Sequence, residues 1–383
     1  MQPAARVQTA IQIIDRIAGG EPAERALTNW ARGARYAGSK DRAAVRDLVF
    51  DVLRRWRSCA ALGGGESGRA RILGLLRAQG EDVGALFCGG AYGPPPVGEG
   101  DDVGRAPEGY EAWDLPDWLA VRFVDSLGDQ AEDAAQALRR RAEVFLRVNT
   151  LKSDVNAAIA ALAEDGIAAV AHPLSPTALR VTDGARQIAR SAAFGTGRVE
   201  LQDAASQAVV DMLPLKPGMA VLDYCAGGGG KTLAMAARLP GVRIDAHDAD
   251  PNRMADLPER AARAGADVRI VERVSGGYDL VLADAPCSGS GAWRRAPEGK
   301  WRLTPDMLED LCGAQAAILR NCAALVKPGG VLAYATCSVL SEENARQVEA
   351  FLARNPEWKT LASRQFLPSD GGDGFFAAIM MRV

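Results

Sequence analysis

Two cysteines stand where chemistry is possible: Cys287 in Asp284-Ala285-Pro286-Cys287-Ser288-Gly289, and Cys337 in Tyr334-Ala335-Thr336-Cys337-Ser338. Each follows an apolar run that reads as a strand, and open α/β sheets carry their sites beyond the carboxyl ends of strands. Upstream, Val221-Leu222-Asp223-Tyr224 runs into Cys225-Ala226-Gly227-Gly228-Gly229-Gly230-Lys231, a glycine-rich turn that lets backbone approach a nucleotide cofactor. A thiolate divides a difficult substitution into two easier steps. C5 of cytosine needs that help: thiolate addition at C6 makes C5 enamine-like, able to take a methyl group from a sulfonium. Loss of the C5 proton then expels the thiol. A free thiol with a pKa of about 8.5 is mostly protonated at neutral pH, so the site must supply positive or hydrogen-bonding surroundings. Lys231 is the candidate for that, and Asp284 for accepting from the cytosine amino group or holding a protonated N3.

The turn itself is less specific. A Walker-type phosphate loop would need glycine at position 225, which is Cys225, and the dinucleotide pattern meets Thr232 where its third glycine should be. The turn alone fits S-adenosylmethionine or another nucleotide. An acidic residue ending the next strand can bond ribose hydroxyls, and Asp248 lies 20 residues after Gly228, which favours S-adenosylmethionine. Most cysteines are small buried hydrophobes, and Cys59, Cys88, Cys312 and Cys322 are read that way.

The elements that must position these residues follow from periodicity. Gln8, Ile11, Ile14, Ile17 and then Val45, Leu48, Val49, Val52, Leu53, Trp56 keep helical spacing, with Ser39 as an expected N-cap. Residues 89–112, with Pro94-Pro95-Pro96, read as a linker, and a helical run is expected from Leu115 to about Arg141. Strands at 145–149 and 179–181 and a helix at 154–164 make a small α+β module. After residue 195, strands at 220–224, 243–247, 268–271, 280–283 and 331–336 alternate with helices, and a pair near 364–367 and 375–380 closes a mainly parallel, doubly wound sheet. Seven scattered cysteines without C-x-x-C, and only His172 and His247, argue against a disulfide framework, a zinc site or a serine–histidine triad. No metal is expected. There is no 18-residue apolar run and no apolar core of a signal peptide, so no membrane partner and a cytoplasmic location are expected. The net charge of -3 hides an asymmetry: residues 1–80 carry 14 Arg or Lys against 7 Asp or Glu, and residues 81–135 carry 2 against 13. The basic segment suits a phosphate backbone or a solvated helical surface.

These residues resemble the bacterial ribosomal-RNA cytosine-C5 methyltransferases of the Sun/Fmu, or small subunit methyltransferase B, type. The resemblance rests on Arg147-Val148-Asn149-Thr150, Gln202-Asp203-Ala204-Ala205-Ser206-Gln207, residues 284–291, Pro297 to Trp301, Gln315, Thr336-Cys337-Ser338 and Glu342-Glu343-Asn344. It implies a Rossmann-like S-adenosylmethionine-dependent methyltransferase domain at 195–383, a small α+β RNA-binding module at 113–194, and an all-α NusB-like RNA-binding domain at 1–88, where Asp41-Arg42 and Val52-Leu53-Arg54 carry the similarity. It further implies Cys337 as nucleophile, Cys287 as the thiol assisting release, and Asp284 and Lys231 as their support. Cys225, Ala226, Gly227, Gly228, Gly229, Gly230 and Lys231 would hold the cofactor's methionine part, with Asp248 on the ribose. Arg253, Glu272 and Asp284 complete the expected cofactor set, Glu272 as the nearest acid for the adenine. The family's Ala-Pro is replaced here by Gly227-Gly228, which is expected to loosen the turn. The implied partner is RNA, with ribosomal RNA favoured and transfer RNA possible. The rival readings are a methyltransferase on transfer RNA or a non-RNA substrate, and an inactive RNA-binding assembly factor.

Overall fold

The computed structural model describes residues 1–98, 101 and 103–383, and its contacts part the chain into two units. The first comprises residues 1–124, 128–141 and 293–302. Its helices Pro3–Ala18, Ala23–Gly33, Ser39–Arg54, Trp56–Gly63 and Gly68–Gln79 turn their apolar stripes inward, burying Ile14, Val45, Val49, Val52, Leu53, Ile72 and Leu73 in one core. Ser39 is the first helical residue rather than the cap. Gly38 precedes it and donates its N–H to Asp41 Oδ2 at 3.1 Å, so the carboxylate one turn on satisfies the helix start. The run expected to Arg141 breaks into Asp117–Leu127 and Ala131–Leu138 at Gly128, whose φ of +53° no α-helix accommodates. Residues 293–302 belong to this unit. Trp293 stacks on Phe123 with ring centroids 6.1 Å apart, Lys300 Nζ donates to the Arg54 carbonyl at 2.9 Å, and Trp301 Nε1 donates to the Leu53 carbonyl at 2.7 Å.

The second unit holds two sheets. The smaller is antiparallel, built from β1 (Val144–Val148), β2 (Ala168–Ala171), β3 (Ala178–Asp183) and β4 (Val199–Leu201) in the order β2-β3-β1-β4, with the helix Val155–Glu164 packed on it. β4 lies beyond the boundary expected at 195. Three residues are too few to show a period of two, and only pairing with β1 makes that stretch a strand. The same brevity hid β2.

The larger sheet comprises β5 (Val221–Asp223), β6 (Ile244–Ala246), β7 (Val268–Ile270), β8 (Tyr278–Asp284), β9 (Val326–Thr336), β10 (Trp358–Phe366) and β11 (Phe375–Arg382). Its order is β10-β11-β9-β8-β5-β6-β7, parallel from β9 through β7 and antiparallel at β11 and β10. Strand residues alternate between two apolar layers. Val221, Leu280, Leu282, Ala333 and Ile379 face one, with Val209 and Met235; Leu222, Val281, Ala283, Leu332 and Met380 face the other, with Leu319 and Phe351. Both faces are covered, which is why these strands read as unbroken apolar runs. The chain order runs outward from β5 to β7, then returns to β8 and β9 on the other side. That reversal puts the sheet's crevice at the carboxyl ends of β5 and β8.

Candidate active site

β5, β8 and β9 each end in a residue the sequence singles out, or just before one. Asp223 closes β5, Asp284 closes β8 with Cys287 three residues on, and Cys337 follows β9. The sulfurs of Cys287 and Cys337 lie 3.4 Å apart. The hydrogen bond to Cys337, together with burial, pushes the Cys287 thiol well above its ordinary pKa. Lys231 Nζ pairs with Asp284 Oδ2 at 2.7 Å and lies 4.8 Å from the centre of the Phe375 ring. Burial disfavours its ammonium, but Asp284, then Cys337 and Asp223, more than offset that, and the Lys231 pKa is raised. Lys231 is therefore a held cation that interacts electrostatically with Cys337.

The glycine-rich turn leads from β5 into the helix Gly230–Arg238. Gly227 has φ +50° and Gly229 φ +79°, values that residues other than glycine rarely adopt, so Gly227 of the substituted pair depends on glycine here. The turn is nonetheless tied down. Ala226 N–H donates to the His247 carbonyl at 2.9 Å, Gly227 N–H to Asp248 Oδ2 at 2.9 Å, and Arg260 donates to the Gly228 carbonyl. The Gly230 carbonyl accepts from Arg147 Nη1 at 2.9 Å, across from β1. Asp248 also accepts from Asp250 N–H at 3.0 Å and from Arg253 Nη1 at 3.0 Å, and its side chain is almost wholly buried. Arg253 is the exposed member of that group, so a ribose hydroxyl reaching Asp248 would replace the guanidinium. Cys225 is pushed up by burial and then by the charges of Asp223, Asp284 and Asp248, and stays a thiol at neutral pH. Glu272 does not join this cluster: it is exposed, beyond the end of the edge strand β7.

One observation fits the cofactor: among the described residues, Asp223 Oδ1 is buried with no hydrogen-bond partner. The glycines themselves are packed against Arg253, Arg260 and Leu257. The sequence missed Glu343 and Gln315 as working residues, although both lie in the motifs quoted above. Gln315 Nε2 donates to the Pro286 carbonyl at 3.0 Å and to Glu343 Oε1 at 3.1 Å, which ties the long helix Pro305–Leu325 to the Cys287 loop. Among the described residues, no three His, Cys, Asp or Glu side chains are grouped to hold a metal ion, and no helix is long and apolar enough to cross a membrane.

A doubly wound sheet with a glycine-rich turn at its reversal point, and paired thiols alongside, is the architecture of a nucleotide-dependent group-transfer enzyme. Comparison with known proteins narrows that class. Residues 210–381 match the family model of the 16S rRNA methyltransferase RsmB/F, and residues 115–187 match the ferredoxin-like domain of the RsmF/B-like methyltransferases. The ribosomal RNA small subunit methyltransferase B of Klebsiella pneumoniae is 34% identical over 284 residues, covering 70% of this chain and 66% of that relative. The crystal structure of PH0851 is 26% identical and superposes with a TM-score of 0.76 over 99% of both chains. A methyltransferase homolog protein from Pyrococcus horikoshii, also 26% identical, covers 72% of this chain and 97% of its own with a TM-score of 0.63. The chain belongs to the RsmB/F family of methyltransferases. Membership agrees with the expectation of S-adenosylmethionine as cofactor.

Proposed function

We propose that this chain transfers a methyl group from S-adenosylmethionine to C5 of cytosine in RNA, ribosomal RNA in the first place, through a covalent adduct between Cys337 and C6. The observation that carries this reading is the thiol pair, 3.4 Å apart beyond two adjacent parallel strands and beside the Lys231–Asp284 ion pair. The turn from Cys225 to Lys231, with Asp223, Asp248 and Arg253, would hold the cofactor, which supplies an electrophilic methyl group when bound.

The residues divide the work. Lys231 holds Asp284 Oδ2 at 2.7 Å, and the carboxylate's other oxygen can accept from the cytosine amino group or from a protonated N3. Cys337 reacts as the thiolate, whose electron pair forms the bond to C6. Once C5 is methylated, a base takes the C5 proton, the C–H electrons restore the C5–C6 double bond, and the sulfur leaves as thiolate. The Cys287 thiol, held protonated at 3.4 Å, donates to that leaving thiolate. The target base must leave its stack to reach the sulfur, which favours an accessible loop in structured RNA. The helical unit and the small sheet are proposed to bind that RNA.

The test is labelled-methyl transfer to unmodified ribosomal RNA, with transfer RNA alongside. Labelled 5-methylcytosine from the wild type and none from Cys337→Ala is expected, while Cys287→Ala should accumulate a denaturation-resistant protein–RNA adduct. Turnover surviving in Cys337→Ala would remove the covalent mechanism.

A further inference from the structure

Both thiol-bearing loops converge on one carboxylate. Glu343 is fully buried and accepts four hydrogen bonds: Oε1 from Ser288 N–H at 2.7 Å and Gln315 Nε2 at 3.1 Å, Oε2 from the Ser288 and Ser338 hydroxyls, each at 2.5 Å. Ser288 adjoins Cys287 and Ser338 adjoins Cys337, so each sulfur stands one residue from a group bonded to the same carboxylate. The Ser290 hydroxyl, 2.8 Å from that of Ser338 and accepting from Val339 N–H at 2.9 Å, adds a further bridge between the loops. No cation pairs with Glu343 among the described residues. A buried carboxylate without a counter-ion is costly, and here four donors offset the cost. An apolar residue would fill the space more cheaply but could not hold two loops at once.

Building on the reaction proposed above, we propose that Glu343 is a positioning residue that holds the Cys287 sulfur against Cys337, and that its loss slows release of the methylated base more than formation of the adduct. Glu343 touches neither thiol directly; it acts through the two serines. Glutamine in its place keeps an oxygen for Ser288 N–H and Gln315, and its amide can donate to hydroxyls that turn to accept. Alanine keeps neither.

The experiment has two readouts on the full chain. Phenylarsine oxide bridges neighbouring thiols, so the wild type should take up an equivalent that Cys287→Ala does not. Glu343→Ala is expected to weaken that uptake by about tenfold, the scale of losing hydrogen bonds to a charged group, and Glu343→Gln to restore most of it. In methyl transfer, Glu343→Ala should accumulate the RNA adduct and slow product release by a similar factor while binding S-adenosylmethionine normally. Wild-type arsenical uptake, or unimpaired release, in Glu343→Ala overturns the proposal. Should that variant fail to bind cofactor, the paired Ser288→Ala and Ser338→Ala substitution carries the same test with the same two outcomes. A wild type that makes no 5-methylcytosine would sink the proposed reaction, while the arsenical result would still decide the positioning.

Discussion

Asp223 concentrates the electrostatics of the cofactor turn in one carboxyl group. One oxygen accepts from Thr232 Oγ1 at 2.7 Å, the other is buried without a partner among the described residues, and burial, with Asp284 and Asp248 adding to it, raises its pKa to about 7. An unfolded aspartate titrates at about 3.9, so between these values the folded chain binds more protons than the unfolded one. The stabilising contribution is complete below about 4 and is lost as pH rises through about 7. Relative to Asp223→Asn, the wild type should therefore lose stability across that window; urea unfolding of both at a series of pH values measures it, and parallel curves would refute the assignment. Candidate chemistry at this scale was open to sequence reading because Cys287, Cys337, Lys231 and Asp284 belong to residue types that react or ionise. Glu343 was not, because one glutamate among three polar neighbours looks like any solvated turn until its four donors are in place.

Several motifs that suggest chemistry in the sequence turn out to join elements. Asn149, at the end of β1, donates Nδ2 to the carbonyls of Gly197 and Ala264, both at 2.8 Å, and Thr150 donates to the Ala237 carbonyl at 2.8 Å. The bonds to Ala264 and Ala237 stitch the small sheet to helices of the large one, and the bond to Gly197 closes the turn before β4. Gln207 Nε2 donates to the carbonyls of Leu146 and Gln202, and Asp203 caps the helix Ala204–Asp211 while accepting from Asp373 N–H at 2.9 Å. Asn149→Ala would leave two buried carbonyls unpaired. The expected loss is about 3 kcal/mol of unfolding free energy, from a cost of about 1–3 kcal/mol for each group. Equilibrium urea unfolding measures it, and a loss under about 1 kcal/mol would mean that water or relaxation replaces both bonds. The strands that carry the thiols were readable because burial on both faces makes β8 and β9 continuous apolar runs. β2 and β4 were not, since three or four residues have no measurable period.

Across the whole chain, the basic and acidic runs follow one another before residue 135, and the ten residues 293–302 join the helical unit from a position just past the Cys287 loop. That insertion gives a direct expectation. A fragment of residues 1–141 lacks Trp293 over Phe123 and the donors to the Leu53 and Arg54 carbonyls, so it should unfold at lower urea concentration than the same fragment with a peptide of residues 293–302 added. A peptide without effect would show that the helical core closes by itself. The sequence by itself determined the helix stripes, the apolar strands of a doubly wound sheet, the glycine-rich turn and the two candidate thiols, because periodicity and residue type are local properties of the chain. Only the tertiary structure decided that Lys231 meets Asp284, that two cysteines 50 positions apart come within 3.4 Å, that Glu343 joins their loops, and that Lys300 reaches the Arg54 carbonyl across 246 positions. Those pairings depend on how strands order and helices pack, and no local pattern encodes a partner that far along the chain.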